Sequence, residues 1–155
     1  MNKILLIGCG HMGLALLRAW VKNTNYFFVV IDPFQFKTIN TNFNNRVKAF
    51  NSLENIKNIK LIDLVIIAVK PQIALPVMMD LKTYVFSKNT IFLSIVAGKK
   101  INFFMKYLSK KNQFVRVMPN MPAMINQGMS CFFANKNVTI KNKDFINSLF
   151  LNVGK

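Results

Sequence analysis

The 155-residue sequence contains few cysteines and no long apolar run. Cys9 and Cys131 lie far apart and match no metal-binding or redox spacing, so we expect a reduced, cytoplasmic protein without a metal site. The apolar stretch before Cys9 resembles a lipoprotein cleavage box, but its length of about four residues is too short for a signal peptide. No apolar run reaches the roughly 20 residues of a membrane helix, so we expect no membrane partner.

Acidic residues are also scarce: five Asp and Glu stand against 21 Lys and Arg, which gives a net charge of +16. Such an excess is compatible with a nucleic-acid partner. The lysines, however, are scattered, often beside asparagine, and form no basic helix face or aromatic-interleaved patch. A nucleic-acid footprint should cluster, so the charge predicts solvated lysines and no nucleic-acid partner. The length and the hydrophobic content of 52% predict one folded domain over residues 1–155.

The strongest pattern that is present lies near the N-terminus. An apolar run at 4–7 is followed by the segment GCGHMG at 8–13 and then by apolar residues at helical spacing, which predicts strand, turn and helix. In that context Gly8 permits a tight turn, Gly10 lets the backbone approach a pyrophosphate, and Gly13 lets the helix pack close to the strand. The helix N-terminus offers free N–H groups to phosphates. The segment therefore predicts a dinucleotide site, with a glycine turn of some other α/β protein as the alternative.

An acidic residue, Asp32, ends the next apolar run at 26–31. Its distance from the glycine segment is that expected of a carboxylate that binds the adenosine ribose. A carboxylate there favours NAD over NADP, because it repels a 2′-phosphate. Since Asp32-Pro33 is also a common turn signal, a turn role is the alternative, and the predicted cofactor is NADP(H) or NAD(H).

The rest of the sequence alternates between strand and helix patterns. Apolar runs predict strands at 47–50, 63–69, 90–95, 114–118 and 129–134, and helical spacing predicts helices at 72–86, 101–108 and 143–151. Ser52 predicts the start of a further helix, Pro76 a kink in the helix at 72–86, and the proline-rich segment 119–123 a loop. The run at 63–69 is apolar on both faces, as in a strand covered by helices on both sides. The alternation predicts an α/β fold with a doubly wound, mostly parallel sheet of the Rossmann type.

Four motifs together resemble the N-terminal domain of the pyrroline-5-carboxylate reductases. They are GCGHMG at 8–13, AVKPQ at 68–72, VAGKKI at 96–101 and RVMPNMPAMINQG at 116–128, and they occur in the order and spacing of that family. The resemblance covers essentially the whole chain and implies an oxidoreductase of proline biosynthesis that reduces the small molecule 1-pyrroline-5-carboxylate to L-proline. The alternatives are another small Rossmann reductase, similar to coenzyme F420-dependent NADP oxidoreductases, and a non-catalytic nucleotide-binding remnant.

The resemblance also implies which residues contact the cofactor. They lie at the predicted strand ends: Ile7, Gly8, Cys9, Gly10, His11, Met12, Gly13, Asp32, Asn51, Ala68, Val69, Lys70, Pro71, Ala97, Gly98 and Asn120. Ile7 to Met12 would line the pyrophosphate, and Asn120 would lie where nicotinamide and substrate meet. None of these residues is an acid–base catalyst, because hydride transfer to an activated imine depends mainly on positioning the two carbons.

The sequence departs from the family pattern at two positions. Met121 stands where the family usually has Thr, and Asp32 is unusual for enzymes that generally use NADPH. In the family a helical dimerisation domain follows and supplies the substrate-binding loops. This chain ends about where that domain would begin, so we expect little reductase activity from it alone, and a homo-oligomer only where that domain is present.

Overall fold

The computed structural model describes residues 2–43, 45–120 and 127–154. The strands within them are β1 (Lys3–Ile7), β2 (Phe27–Ile31), β3 (Val47–Phe50), β4 (Leu64–Ile67), β5 (Ile91–Ser94), β6 (Gln113–Pro119) and β7 (Ser130–Ala134). They form one sheet with the order β3-β2-β1-β4-β5-β6-β7. All neighbouring strands run parallel except β6 and β7, which are antiparallel. The predicted doubly wound, mostly parallel α/β fold is confirmed.

Helices pack on both faces of this sheet. They are α1 (His11–Asn23), α2 (Phe36–Asn42), α3 (Ala74–Leu81), α4 (Ile101–Tyr107) and α5 (Ile140–Leu151). Buried residues of α1, α2 and α5 form one hydrophobic cluster with one face of the strands, and those of α3 and α4 form a second cluster with the other face. The central strands are therefore buried on both faces, which explains why their sequences are continuously apolar.

Trp20 is the centre of the first cluster. Its fully buried ring stacks on Phe28 of β2 and meets Phe150 of α5 edge to face, with centroids 6.2 and 5.6 Å apart. Its indole Nε1–H donates to the carbonyl oxygen of Leu149 at 2.9 Å, so the polar group of this buried side chain is satisfied. The first helix is thereby joined to both β2 and α5.

Two predicted helices are shorter in the structure. The helix predicted at 72–86 consists of a 3-10 turn, Pro71–Ile73, followed by α3. Pro76 lies in the first turn of α3, where a missing N–H leaves no helical hydrogen bond unmade. The helix predicted after Ser52 is a 3-10 turn, Leu53–Asn55, whose Glu54 N–H donates to the Ser52 hydroxyl at 3.3 Å.

The predicted proline-rich loop begins later than expected, because Pro119 belongs to β6 and pairs with Ser130 of β7. The neighbouring strand β5 ends at Ser94, opposite Arg116. Pro119 thus has a strand on one side only, where proline is tolerated. Met121 lies outside the described residues. No helix within the described residues is long and apolar enough to span a membrane.

Candidate functional site

The glycine turn joins β1 to α1 at the carboxyl edge of the sheet. Gly8 has a φ of 89°, and its N–H donates to the Ile31 carbonyl oxygen at 2.8 Å. A Cβ at Gly8 would lie 2.8 Å from the Ala68 carbonyl oxygen, and a Cβ at Gly13 would lie 2.5 Å from the Gly8 carbonyl oxygen. The chain's own packing therefore requires glycine at both positions.

Gly10 lies in a different environment. It is the N-cap of α1, its φ of −69° is open to any residue, and a Cβ there would meet no atom of residues 2–43, 45–120 or 127–154 within 4 Å. No contact within the described chain requires glycine at this position. In addition, no side chain among the described residues caps α1, so none of them is a partner for its first N–H groups. An exposed, uncapped helix N-terminus beside a glycine is suited to a phosphate.

The carboxylate of Asp32 lies directly behind the turn. It is 8% exposed and accepts three backbone hydrogen bonds, from Cys9 N–H on Oδ2 at 2.8 Å and from Phe34 and Gln35 N–H on Oδ1 at 2.9 Å each. The turn role that the sequence left as an alternative is therefore observed. A contact of Asp32 with a ribose stays a prediction.

Cys9 is 1% exposed. Burial, and secondarily the Asp32 charge, raise the pKa of the Cys9 thiol to about 12, against a smaller lowering by Arg18. The thiol is therefore protonated at neutral pH and is no nucleophile. The neighbouring His11 is exposed at the start of α1, and Met12 is half-buried.

The other predicted residues follow the carboxyl ends of the strands. Asn51 follows β3, Ala68 to Pro71 follow β4, and Ala97 and Gly98 follow β5. Ala68 and Val69 reach the turn itself, because a Cβ at Gly8 would touch both, whereas Lys70, Ala97 and Gly98 are exposed. The carboxyl edge is where open α/β sheets bind ligands.

Asn120 follows β6, the strand beside β5, at the same edge of the sheet. Its Oδ1 accepts a hydrogen bond from the Met129 N–H at 2.9 Å. Its predicted contact with nicotinamide stays untested. Within the described residues, no three His, Cys, Asp or Glu side chains are placed to hold a metal ion.

Two features were missed from the sequence. A groove of about 350 Å³ lies between α1 and α2 beside the turn, lined in part by Arg18, Gln35 and Thr38. Arg116 on β6 has a buried Nε without a hydrogen-bond partner in the described part of the chain. Helical spacing in the sequence could have suggested the groove, but no sequence signal indicates the buried Nε of Arg116.

Known proteins resemble the chain both in sequence and in structure. A family model described as NADP oxidoreductase, coenzyme F420-dependent, matches residues 3–98. The pyrroline-5-carboxylate reductase of Arabidopsis thaliana is 32% identical over 161 residues, which cover 99% of this chain and 55% of that protein. The enzyme of the same name from Escherichia coli (strain K12) is 30% identical over 141 residues, 89% of this chain and 51% of that protein. The chain thus spans about half the length of these relatives.

Solved structures share the fold. The pyrroline carboxylate reductase of Plasmodium falciparum with NADP bound has a TM-score of 0.78 at 27% identity and covers 99% of this chain and 55% of that one. The corresponding enzyme of Coxiella burnetii has a TM-score of 0.86 at 24% identity, over 99% of this chain and 57% of that one. A prephenate dehydrogenase from A. aeolicus has a TM-score of 0.78 at 15% identity, over 99% and 58%, so the fold alone does not distinguish among reductases.

Proposed function

Because the chain belongs to the family described as NADP oxidoreductase, coenzyme F420-dependent, and is similar in sequence to pyrroline-5-carboxylate reductases, we propose that it is the cofactor-binding part of such a reductase. In this proposal residues 1–155 are one dinucleotide-binding domain for NADP(H) or NAD(H). The reaction served is reduction of 1-pyrroline-5-carboxylate to L-proline. The similarity to these reductases extends over 99% of the chain, whereas the family model ends at residue 98, which supports this narrower assignment.

The observation that carries the proposal is the contrast among the glycines of the turn. Gly8 and Gly13 are required by contacts within the chain, but Gly10 faces open space beside the uncapped N-terminus of α1. A ligand with phosphates that lies against Gly10 explains both the missing side chain and the missing cap. When bound, the dinucleotide would supply the hydride.

The chain's own residues would then bind and orient the cofactor. The turn would hold the pyrophosphate, while the residues after β4 and β5, from Ala68 to Pro71 together with Ala97 and Gly98, would border the rest of the molecule. Asn51 would lie at the adenosine end and Asn120 near the nicotinamide. No acid–base catalyst is assigned, because correct placement of donor and acceptor carbons accounts for most of the rate.

The test is calorimetry of NADH and NADPH binding with the parent chain and with Gly10→Val. A branched side chain at Gly10 would enter the space of the pyrophosphate, so we expect affinity for both dinucleotides to fall at least about ten-fold. Ser148→Val, which adds the same side chain at an exposed position of α5, is the matched control and should bind like the parent. Equal affinity of Gly10→Val and parent would refute the assignment.

A second candidate is a coenzyme F420-dependent NADP oxidoreductase, favoured by the description of the family model. The two candidates differ in the acceptor of the hydride. Oxidation of NADPH should be followed with 1-pyrroline-5-carboxylate and with coenzyme F420 in parallel, each with and without a supplied C-terminal domain. Oxidation of NADPH with coenzyme F420 but not with 1-pyrroline-5-carboxylate would favour the second candidate.

A further inference from the structure

We propose that Asp32 is a positioning residue, which holds the glycine turn in its phosphate-binding shape, and that it does not select between NAD and NADP. This inference rests on the proposed function, because it concerns the same site. It differs from the expectation drawn from the sequence, where a carboxylate at the end of β2 favours NAD. The difference follows from the hydrogen bonds of the carboxylate.

Those hydrogen bonds leave Asp32 little capacity for a ligand. An ionised carboxylate has about four acceptor positions. Three are used by backbone donors: Oδ1 accepts from Phe34 and Gln35, and Oδ2 accepts from Cys9. At 8% exposure, the side chain can offer a ribose hydroxyl at most the one remaining position on Oδ2.

The same bonds link the turn to the end of β2. Gly8 N–H donates to the Ile31 carbonyl oxygen, and Cys9 N–H donates to the carboxylate of Asp32, the residue that follows Ile31. Both distances are 2.8 Å. Two successive amides of the turn are therefore held by two successive residues of the neighbouring chain segment. A hydrogen bond to an ionised acceptor is about twice as strong as a neutral one, so the bond to Cys9 should restrict the turn before any ligand arrives.

This arrangement also reduces the repulsion that Asp32 would exert on a phosphate. The positive ends of three N–H dipoles point at the carboxylate, and their field partly offsets its negative field toward a ligand. A restricted turn benefits every ligand that places a pyrophosphate against Gly10, whether or not it carries a 2′-phosphate. The effect of Asp32 on affinity should thus be the same for NADH and NADPH.

The variant Asp32→Asn separates the two roles. Its amide oxygen can still accept from Phe34 and Gln35, but its NH₂ group cannot accept from Cys9. The matched control is Asp63→Asn, because Asp63 Oδ2 accepts from the Lys3 N–H at 2.8 Å, at the opposite end of β1. Both variants should be checked by thermal melting and then titrated with NADH and NADPH below their melting temperatures.

We expect Asp32→Asn to weaken NADH and NADPH by the same factor, about ten-fold or more, and Asp63→Asn to change neither. A change in the NADH/NADPH affinity ratio of about ten-fold would overturn the proposal, since it would mean that Asp32 reads the ribose. Unchanged affinity for both dinucleotides in Asp32→Asn would overturn it as well.

Hydrogen exchange on the parent chain covers the case in which Asp32→Asn does not fold. We expect the Cys9 and Gly8 amides both to exchange slowly, and exchange of Cys9 at the rate of an unprotected amide would overturn the positioning role. If the parent binds neither dinucleotide, the proposed function fails, but slow exchange at Cys9 would still support the tie between the turn and Asp32.

Discussion

The first β-α-β unit and the β6–β7 edge of the same sheet differ in how they are packed. In β1 the four residues from Ile4 to Ile7 are at most 3% exposed, and the amides of Gly8 and Cys9 both have short hydrogen bonds. At the β6–β7 edge, four large apolar side chains are between 42% and 64% exposed: Met118, Met129, Phe132 and Phe133. The first region is tightly constrained around a turn, whereas the second presents apolar surface to solvent.

This contrast matches the extent of the family model, which covers residues 3–98 and ends before β6. In the proposed function the turn holds a dinucleotide, and a ligand site must be held within a fraction of an ångström, which would give the dense packing behind the turn a functional reason. An edge strand with exposed aromatic side chains is instead a site where other chains can associate. The difference indicates that substitutions in the first unit should act on stability and ligand binding, and substitutions at the edge on association.

The largest expected difference between the two regions is in cysteine reactivity. Cys9 is buried with a thiol pKa of about 12, whereas Cys131 on β7 is exposed. At pH 8 the buried thiol of Cys9 is almost wholly protonated and shielded from the reagent, so the exposed Cys131 should react with iodoacetamide at least about a hundred times faster. Mass spectrometry of peptides after timed labelling measures both rates.

The sign of the pH dependence provides a check on this prediction. Because the raised pKa keeps Cys9 protonated through neutral pH, its labelling rate should still be rising with pH at pH 9. Labelling of both thiols at similar rates in the folded chain would contradict the burial of Cys9. Cys9 should become reactive in denaturant.

The second-largest expected effect is on the free energy of unfolding, and it concerns substitutions in the glycine turn. In Gly13→Ala the new Cβ would lie 2.5 Å from the Gly8 carbonyl oxygen, a backbone atom that cannot move without opening the turn. We expect a loss of about 2 kcal/mol in the free energy of unfolding, measured by urea denaturation. Gly10→Ala is the control, because its Cβ meets nothing within 4 Å, and it should lose no more than about 1 kcal/mol.

Equal losses in the two variants would show that the close contact of Gly13 with the turn is not rigid. Equal losses would also remove the physical distinction between Gly13, which contacts within the chain require, and Gly10, which the proposed ligand requires. The comparison between Gly13 and Gly10 is therefore a test of the site that requires no ligand.

Much of this fold could be predicted because buried parallel strands are apolar on both faces, and each strand expected from the sequence is present. The glycine turn could be predicted for a similar reason, since a positive φ at Gly8 and a close approach at Gly13 exclude other residues. Helix ends were less predictable. α3 ends at Leu81, where the N–H and hydroxyl of Thr83 both donate to the Asp80 carbonyl oxygen, at 3.0 and 2.8 Å. Such side-chain bonds compete with the helix and leave no periodic signal.

The role of Asp32 was only partly predictable. Its distance from the glycine segment identifies an acidic residue at the end of β2, but not which donors its oxygens meet. That depends on the path of the chain after β2, which brings the Phe34 and Gln35 amides back to Oδ1. The start of α5 is similar: the Thr139 hydroxyl accepts from the Asn142 N–H at 3.2 Å, so the helix begins three residues before the predicted position 143.

The smallest effect on stability is expected at the edge itself. Phe133 lies on β7, is 64% exposed and pairs across the strands with Arg116. In Phe133→Glu the new carboxylate would face this cation, which offsets the lower strand preference of Glu. We expect the free energy of unfolding to change by no more than about 0.5 kcal/mol, while light scattering at high protein concentration should show less association.

Phe34→Glu separates the loss of apolar surface at the edge from the change of charge. Phe34 is 91% exposed, lies at the opposite side of the sheet after β2, and gives the same change in net charge. If the exposed residues of β7 cause association, Phe133→Glu should reduce scattering more than Phe34→Glu does. Lowering the net charge of +16 should by itself favour association, so equal reductions would mean that the β6–β7 edge is no more adhesive than an isolated exposed ring.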